Sequence, residues 1–272
     1  MPQASIGFIG LGDMGRPMAR RLLEHGFTVV SCANRRRDAI DALKAQGLIE
    51  EANPRAVAAR VDTLVTLVVD DKQTNAVLRG AHGALASLKP GAIVIIMSTL
   101  GPAYCQAIAV EAAVLGITVL DCPISGGRMG AEKGTLALMI GGDVGAMERA
   151  RPALEIFGTV THCGEVGAGQ VVKLANNAIA FATAGIVMEA RAMARAYGTN
   201  MRRMMEILSR STGKNFVADN WDYVVSDWEH LALLGKKDAG LCIEAAKAKG
   251  VAMPLVEARY AADWALGRDE KN

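Results

Sequence analysis

Over roughly the first 160 residues, short apolar, β-branched runs alternate with segments whose apolar positions recur every three or four residues. The runs predict strands at 5–9, 28–32, 63–68, 92–97, 117–121, 135–140 and 159–162. The intervening periodic segments predict helices at 15–25, 36–46, 53–59, 71–79, 102–115 and 144–157. Apolar strands separated by helices imply a parallel sheet covered on both faces. Only the link from Asp121 to Thr135 lacks a long helix, so that strand can pair antiparallel. After "GEVGAG" at 164–169 the alternation stops and the pattern is helical to the end. One element, from Gln170 to about Tyr197, is long enough to reach across a small domain at about 1.5 Å per residue. The expected architecture is α/β: a doubly wound, mostly parallel sheet at 1–164, then an all-helical domain at 165–272, joined by that helix.

The first strand runs into "GLGDMG", in which Gly10, Gly12 and Gly15 form GxGxxG at the head of a helix. Gly10 suits a tight turn, Gly12 lets backbone approach a pyrophosphate, and Gly15 allows close helix–strand packing. The helix start offers free N–H groups and a partial positive charge to phosphates. With a second strand at the right distance, this is a Rossmann-type dinucleotide loop, and Leu11, Asp13 and Met14 join the glycines as cofactor contacts. An NAD site usually ends its second strand with an acidic residue that holds the ribose 2′-OH. Here Ala33-Asn34-Arg35-Arg36-Arg37 follows, with no acid before Asp38. A guanidinium accepts a 2′-phosphate, which a carboxylate would repel. NADP is therefore expected ahead of NAD, with Asn34 and Arg35 nearest the phosphate and Arg36 assisting. A solvated basic turn is the alternative.

Composition narrows the class. The chain has 272 residues, 51% apolar and 21% charged, with net charge +2. That is room for two cored domains, and it gives no electrostatic case for nucleic acid or an anionic membrane. Five scattered cysteines without CxxC spacing and four histidines without ligand spacing predict reduced thiols in a cytoplasmic protein and no metal. The N-terminus "MPQASIGFIG" does not have the pattern of a signal peptide. The charge-free run 174–188 is too short to span a bilayer and is expected to be a buried helix.

Three segments fall where a doubly wound sheet binds its ligands, beyond the carboxyl ends of strands. They are "MSTLGP" at 97–102, "DCPISGG" at 121–127 and "GAGQVVKLANN" at 167–177, and all can face one cleft. On a helix, Lys173, Asn176 and Asn177 are i, i+3 and i+4 and share one face. A lysine snorkelling from a core helix is the bland reading. The paired amides and the glycine-rich approach favour a reactive amine, because burial disfavours the ammonium and suits acid–base work near neutral pH. Ser125-Gly126-Gly127 supplies a hydroxyl and unobstructed N–H groups suited to a carboxylate.

With these motifs in view, the chain resembles the β-hydroxyacid dehydrogenase family over nearly its whole length. The resemblance rests on "GFIGLGDMGRPMA" (7–19), the ST of "MSTLGP", "DCPISGGRMGAEKGTL" (121–136), "GAGQVVKLANN" and "GKKDAGL" (235–241). It implies that Lys173 is the general acid in reduction and general base in oxidation, with Asn177 holding substrate and lysine beside Asn176. It implies that Ser125, Gly126 and Gly127 grip a substrate carboxylate, that Thr99 and Lys237 contact the cofactor, and that Asp238 braces the substrate site. Val68 and Val69 match a Leu-Pro pair lining the cofactor. The implied reaction interconverts a short 3-hydroxy acid and its semialdehyde, and the implied assembly is a homodimer or homotetramer. The chain departs at Val69, where the family has proline, at Leu100-Gly101, and in "STGKNFVADN" (211–220), which leaves the substrate tail open. Lys214 there is read as a surface lysine, or as a contact for a second anionic group. An imine reductase of this architecture typically has Asp or Tyr in place of Lys173. A 6-phosphogluconate dehydrogenase has histidine in place of Asn176. A non-enzymatic scaffold would be expected to lose the lysine.

Overall fold

The computed structural model describes residues 5–34, 37–262 and 264. The chain forms two compact units, Met1–Lys173 and Leu174–Asn272. The expected boundary, Gly164, is the last residue of a strand, and the units divide nine residues later, inside a helix.

The strands of the first unit are β1 (Ser5–Ile9), β2 (Thr28–Cys32), β3 (Ile49–Glu51), β4 (Thr63–Thr66), β5 (Ile93–Ile96), β6 (Thr118–Asp121), β7 (Ile124–Ser125), β8 (Leu136–Gly141) and β9 (Gly158–Gly164). They build one sheet in the order β3-β2-β1-β4-β5-β6-β8-β7, with β9 on β8. β1 to β6 are parallel, whereas β8 runs antiparallel to β6 and β7. The reversal falls at the link that the pattern left without a long helix. After β1 the chain builds outward through β2 and β3, then returns to place β4 on the other side of β1. The switch point of this order is where doubly wound sheets bind ligands.

Adjacent strand residues fall into opposite cores. Val65, Ile95 and Leu120 pack with Phe8, Met18 and Leu22 on one face, while Leu64, Val94 and Val119 pack with Val57, Leu78 and Ile108 on the other. Both faces are therefore dry, which is why these strands read as continuous apolar runs rather than alternating ones. The covering helices are α1 (Gly15–Glu24), α2 (Asp38–Lys44), α3 (Pro54–Ala58), α4 (Asp71–Leu78), α5 (Pro102–Val114), α6 (Gly127–Lys133) and α7 (Val144–Leu154). Asn53, Asp70 and Asp143 cap α3, α4 and α7 by accepting from the backbone three residues on.

Helix α8 (Ala168–Ala196) begins in the first unit and continues into the second. By length and composition it is apolar enough to cross a bilayer, and a third of that stretch is buried within the chain. The second unit adds α9 (Met201–Leu208), α10 (Phe216–Asp219), α11 (Trp221–Ser226), α12 (Trp228–Lys247) and α13 (Pro254–Ala261), with no strand among the described residues. Its core holds Val187, Met188, Trp221 and Trp228, and the Trp228 indole donates to the Trp264 carbonyl at 2.8 Å. Lys214 lies exposed in the turn between α9 and α10.

Candidate functional site

The loop between β1 and α1 stands at the sheet's switch point. Gly10 has φ +109°, and a Cβ there would overlap the Leu67 carbonyl oxygen. A Cβ on Gly15 would overlap the Gly10 carbonyl. Both glycines are thus required by the packing of the turn itself. Gly12 differs: a Cβ there would meet no protein atom within 4 Å. Its small size answers no contact of the fold and leaves room for a group to approach the backbone. Helix α1 has no acidic residue in its first turn, and unlike α3, α4 and α7 it has no side-chain cap. Its positive end is left for an anion. The residues therefore fit a dinucleotide pyrophosphate. Leu11 and Met14 are half-buried beside the loop, and Asp13 is exposed.

At the end of β2, Asn34 is exposed, and Arg35 and Arg36 lie outside the described residues. Arg37 is committed elsewhere: its guanidinium donates to Glu50 at 2.9 and 3.1 Å and to Asp41 at 3.1 Å. Lys44 also reaches Glu50, at 2.8 Å. These two cations hold the Glu50 carboxyl at about 2, so this acid on the strand beside β2 stays ionised and paired with its own neighbours.

Beyond β4, the Val68 N–H donates to Ser98 Oγ at 3.0 Å, and Val69 is exposed. Ser98 precedes Thr99, which is half-buried at the end of β5. Around Thr99 a buried network closes. The Gln170 side chain accepts from the Leu100 N–H at 2.9 Å and donates to the Ser98 carbonyl at 2.9 Å. Asp121, at the end of β6, accepts from the Gly167 N–H at 2.6 Å and from the Gln170 N–H at 2.8 Å. Its carboxylate so binds the open N–H groups at the start of α8. Burial raises the Asp121 carboxyl above its ordinary value, against those backbone donors. Lys173, one turn further along α8, is buried at 8% exposure. Neither Asp121 nor Gln170 was singled out from the sequence. Gln170 sits three residues before Lys173, and that spacing was the available signal.

Ser125 closes the two-residue β7, Gly126 is the N-cap of α6 with φ +128°, and Gly127 opens α6 with φ +63°. Successive left-handed backbone angles select glycine at both positions. Gly126 is exposed, and Ser125 and Gly127 are half-buried, so the turn can receive a ligand.

In the second unit, Asn176 Nδ2 donates to Asn177 Oδ1 at 3.0 Å, and Asn177 Nδ2 donates to Asp238 Oδ2 at 2.6 Å. Asp238 is 4% exposed. Its other oxygen lies 3.2 Å from Lys237 Nζ, close enough to pair in charge, yet not aligned as a hydrogen bond. The distance carries the attraction, since charge pairing does not need the alignment that a hydrogen bond does. Asn177 of α8 and Asp238 of α12 are thus joined directly, and the Asn177 amide is oriented by that carboxylate.

A switch-point dinucleotide loop, followed by a buried lysine near strand ends, defines the class of nicotinamide-nucleotide dehydrogenases. Residues 5–167 match the family model described as the NAD binding domain of 6-phosphogluconate dehydrogenase. Residues 167–263 match the one described as NAD-binding of NADP-dependent 3-hydroxyisobutyrate dehydrogenase. The chain is 35% identical to an NAD-dependent L-serine dehydrogenase of Pseudomonas aeruginosa over 92% of this chain and 88% of the relative. It is 34% identical to a 2-(hydroxymethyl)glutarate dehydrogenase of Eubacterium barkeri, over 92% and 85%. The solved structure of Mycobacterium tuberculosis 3-hydroxyisobutyrate dehydrogenase with L-serine superposes with TM-score 0.85 at 27% identity, covering 99% of this chain and 100% of that one. The chain belongs to the β-hydroxyacid dehydrogenase family.

Proposed function

We propose that this protein interconverts a short 3-hydroxy acid and its semialdehyde with NADP, and that Lys173 moves the hydroxyl proton. The observation that carries this reading is the buried Lys173 on a helix head anchored to the ends of β5 and β6. Bound nicotinamide supplies the hydride acceptor in oxidation and the donor in reduction. The chain's own part is orientation and proton transfer. Ser125-Gly126-Gly127 holds the substrate carboxylate, which fixes the carbon presented for reaction. Lys173 takes the alcohol proton in oxidation and returns it in reduction. Asn177 follows one turn later on the same helix and is assigned, on the resemblance, to aligning the hydroxyl. L-serine and 2-(hydroxymethyl)glutarate, the substrates in two relatives' names, both carry a hydroxymethyl beside the carboxylate-bearing carbon. That shared unit supports the substrate class. An imine reductase is the second reading on this architecture, and a basic lysine at position 173 disfavours it.

The preference for NADP rests on Asn34 and the arginines after it, and on the absence of an acid before Asp38. The Pseudomonas aeruginosa relative is NAD-dependent by name, so the preference needs its own measurement. Turnover is read against a panel of C3–C4 hydroxy acids and semialdehydes with each cofactor. The expected result is oxidation of 3-hydroxy acids and reduction of their semialdehydes, with kcat/KM at least about tenfold higher for NADP+ than NAD+ in the first and for NADPH than NADH in the second, as about 1.4 kcal/mol of phosphate recognition gives. Equal or reversed efficiencies defeat the NADP assignment, and no turnover on any member defeats the substrate class.

We also infer a homo-oligomer, built on α8. Ile179, Ile186 and Met193 recur every seven residues along it and are 62–70% exposed. A stripe at that spacing suits a second helix of the same kind. Light scattering should give a multiple of the 28.6 kDa chain mass, and Ile179→Asp with Ile186→Asp should give the monomer. A monomeric wild type refutes the assembly. The free thiols of Cys32, Cys105, Cys122, Cys163 and Cys242 support a cytoplasmic setting, which cell fractionation checks.

A further inference from the structure

The geometry points to Gln170 as a positioning residue that locks the Thr99 segment to the helix turn carrying Lys173. This rests on the dehydrogenase reading and adds a residue to it. Gln170 is wholly buried. Its amide spends both ends on one short stretch of backbone, the Ser98 carbonyl and the Leu100 N–H, which flank Thr99. The same residue's N–H is held by Asp121 at the end of β6. Ser98 in turn receives the Val68 N–H. The Gln170 side chain therefore ties the segment after β5 to the first turn of α8, Asp121 ties the end of β6 to the same turn, and Ser98 links the segment after β4 to the one after β5. Lys173 lies at i+3 from Gln170, on the same side of the helix. A shift of the Thr99 segment is transmitted to the lysine through two hydrogen bonds rather than through loose packing. Displacement of about 1 Å between reacting groups costs on the order of 10²-fold in rate, so a lock of this kind acts on turnover more than on affinity.

Only an amide serves here. The Ser98 carbonyl needs a donor and the Leu100 N–H needs an acceptor at one position. Glutamate keeps the acceptor but, when ionised, sets an oxygen against the Ser98 carbonyl oxygen. When protonated, its O–H replaces the lost donor. The titratable groups around this position are Asp121 from β6, Cys105 from α5, and Lys173 one turn on along α8 itself.

The test compares wild type with Gln170→Met, of similar length and without either bond, and with Gln170→Glu. Three quantities are read: kcat at saturation, the Kd of NADPH by nicotinamide fluorescence, and hydrogen exchange of the 98–100 and 167–173 amides. Gln170→Met is expected to lose about 10- to 100-fold in kcat, to keep its Kd, and to exchange faster in both segments together. Gln170→Glu is expected to regain turnover relative to wild type as pH falls from about 8 to about 6, as its carboxyl takes up the proton that restores the donor. Wild-type kcat in Gln170→Met, or faster exchange in one segment alone, overturns the proposal. If Gln170→Met does not fold, a pH-independent ratio of Gln170→Glu to wild type overturns it. A wild type without turnover counts against the dehydrogenase reading instead, and exchange in the two segments still decides whether Gln170 couples them.

Discussion

Lys173→Ala is expected to lose about 10²–10⁴-fold in kcat, the range for removal of a general acid–base group, while binding NADPH as wild type does. The expectation follows from where the residue sits. Its helix turn is held from the N-terminal side by Asp121 and Gln170, and these bonds remain when the lysine side chain is removed. The dinucleotide loop is built by β1 and α1, which do not include Lys173. Loss should therefore fall on the chemical step, with the unfolding midpoint changed by a few degrees at most. Lys173→Arg separates charge from proton transfer. It keeps a cation at this position, but a guanidinium does not give up its proton in this pH range, so it should be as slow as the alanine variant. Added small primary amines should then raise turnover of Lys173→Ala in proportion to their concentration, and should leave Lys173→Arg unaffected. Near-full turnover in Lys173→Ala removes the proton-transfer role. A loss confined to the Kd of NADPH would make the lysine a cofactor contact.

The parts of this molecule that were legible in advance are those where one physical demand fixes the residues. β1, β2 and β5 are dry on both faces and so spell continuous apolar runs. GxGxxG is legible because Gly10 and Gly15 answer backbone overlap, while Gly12 faces open space beside the turn. The missed elements lack such demands. β3 is three residues long and carries Glu50 and Glu51 at the sheet's edge, where charge is tolerated and even protective. β7 has two residues and α6 seven, beside glycines that read as loop. At the site, Lys173 stood out because an amine in an apolar helix is costly. Asp121 and Gln170 did not, because their partners are backbone groups 46 to 72 residues away. A partner that is backbone leaves no residue type to read in the sequence, and only the fold brings the groups together.

Asp121→Asn is expected to destabilise the first unit by about 3 kcal/mol, with a fall of about 6–12 °C in its unfolding midpoint. The carboxylate accepts two backbone N–H groups with nothing but acceptors of its own. Asparagine offers one oxygen and one donor, so either Gly167 or Gln170 is left with its N–H against an NH₂. That stranded group accounts for the estimate. The pH dependence carries a definite sign. Burial raises the Asp121 carboxyl above its unfolded value, so across the interval between the two values the native chain binds more protons than the unfolded one. Stability from this group is then full below the unfolded value and declines as pH rises through the folded one. The variant lacks this titration and shares every other. The stability gap between wild type and Asp121→Asn should therefore be widest in acid and narrow as pH climbs through and just above the ordinary carboxylate range. Denaturant unfolding of both proteins at a series of pH values gives the gap directly. A gap that widens with pH would mean that the N–H donors of α8 outweigh burial and that Asp121 titrates below its unfolded value.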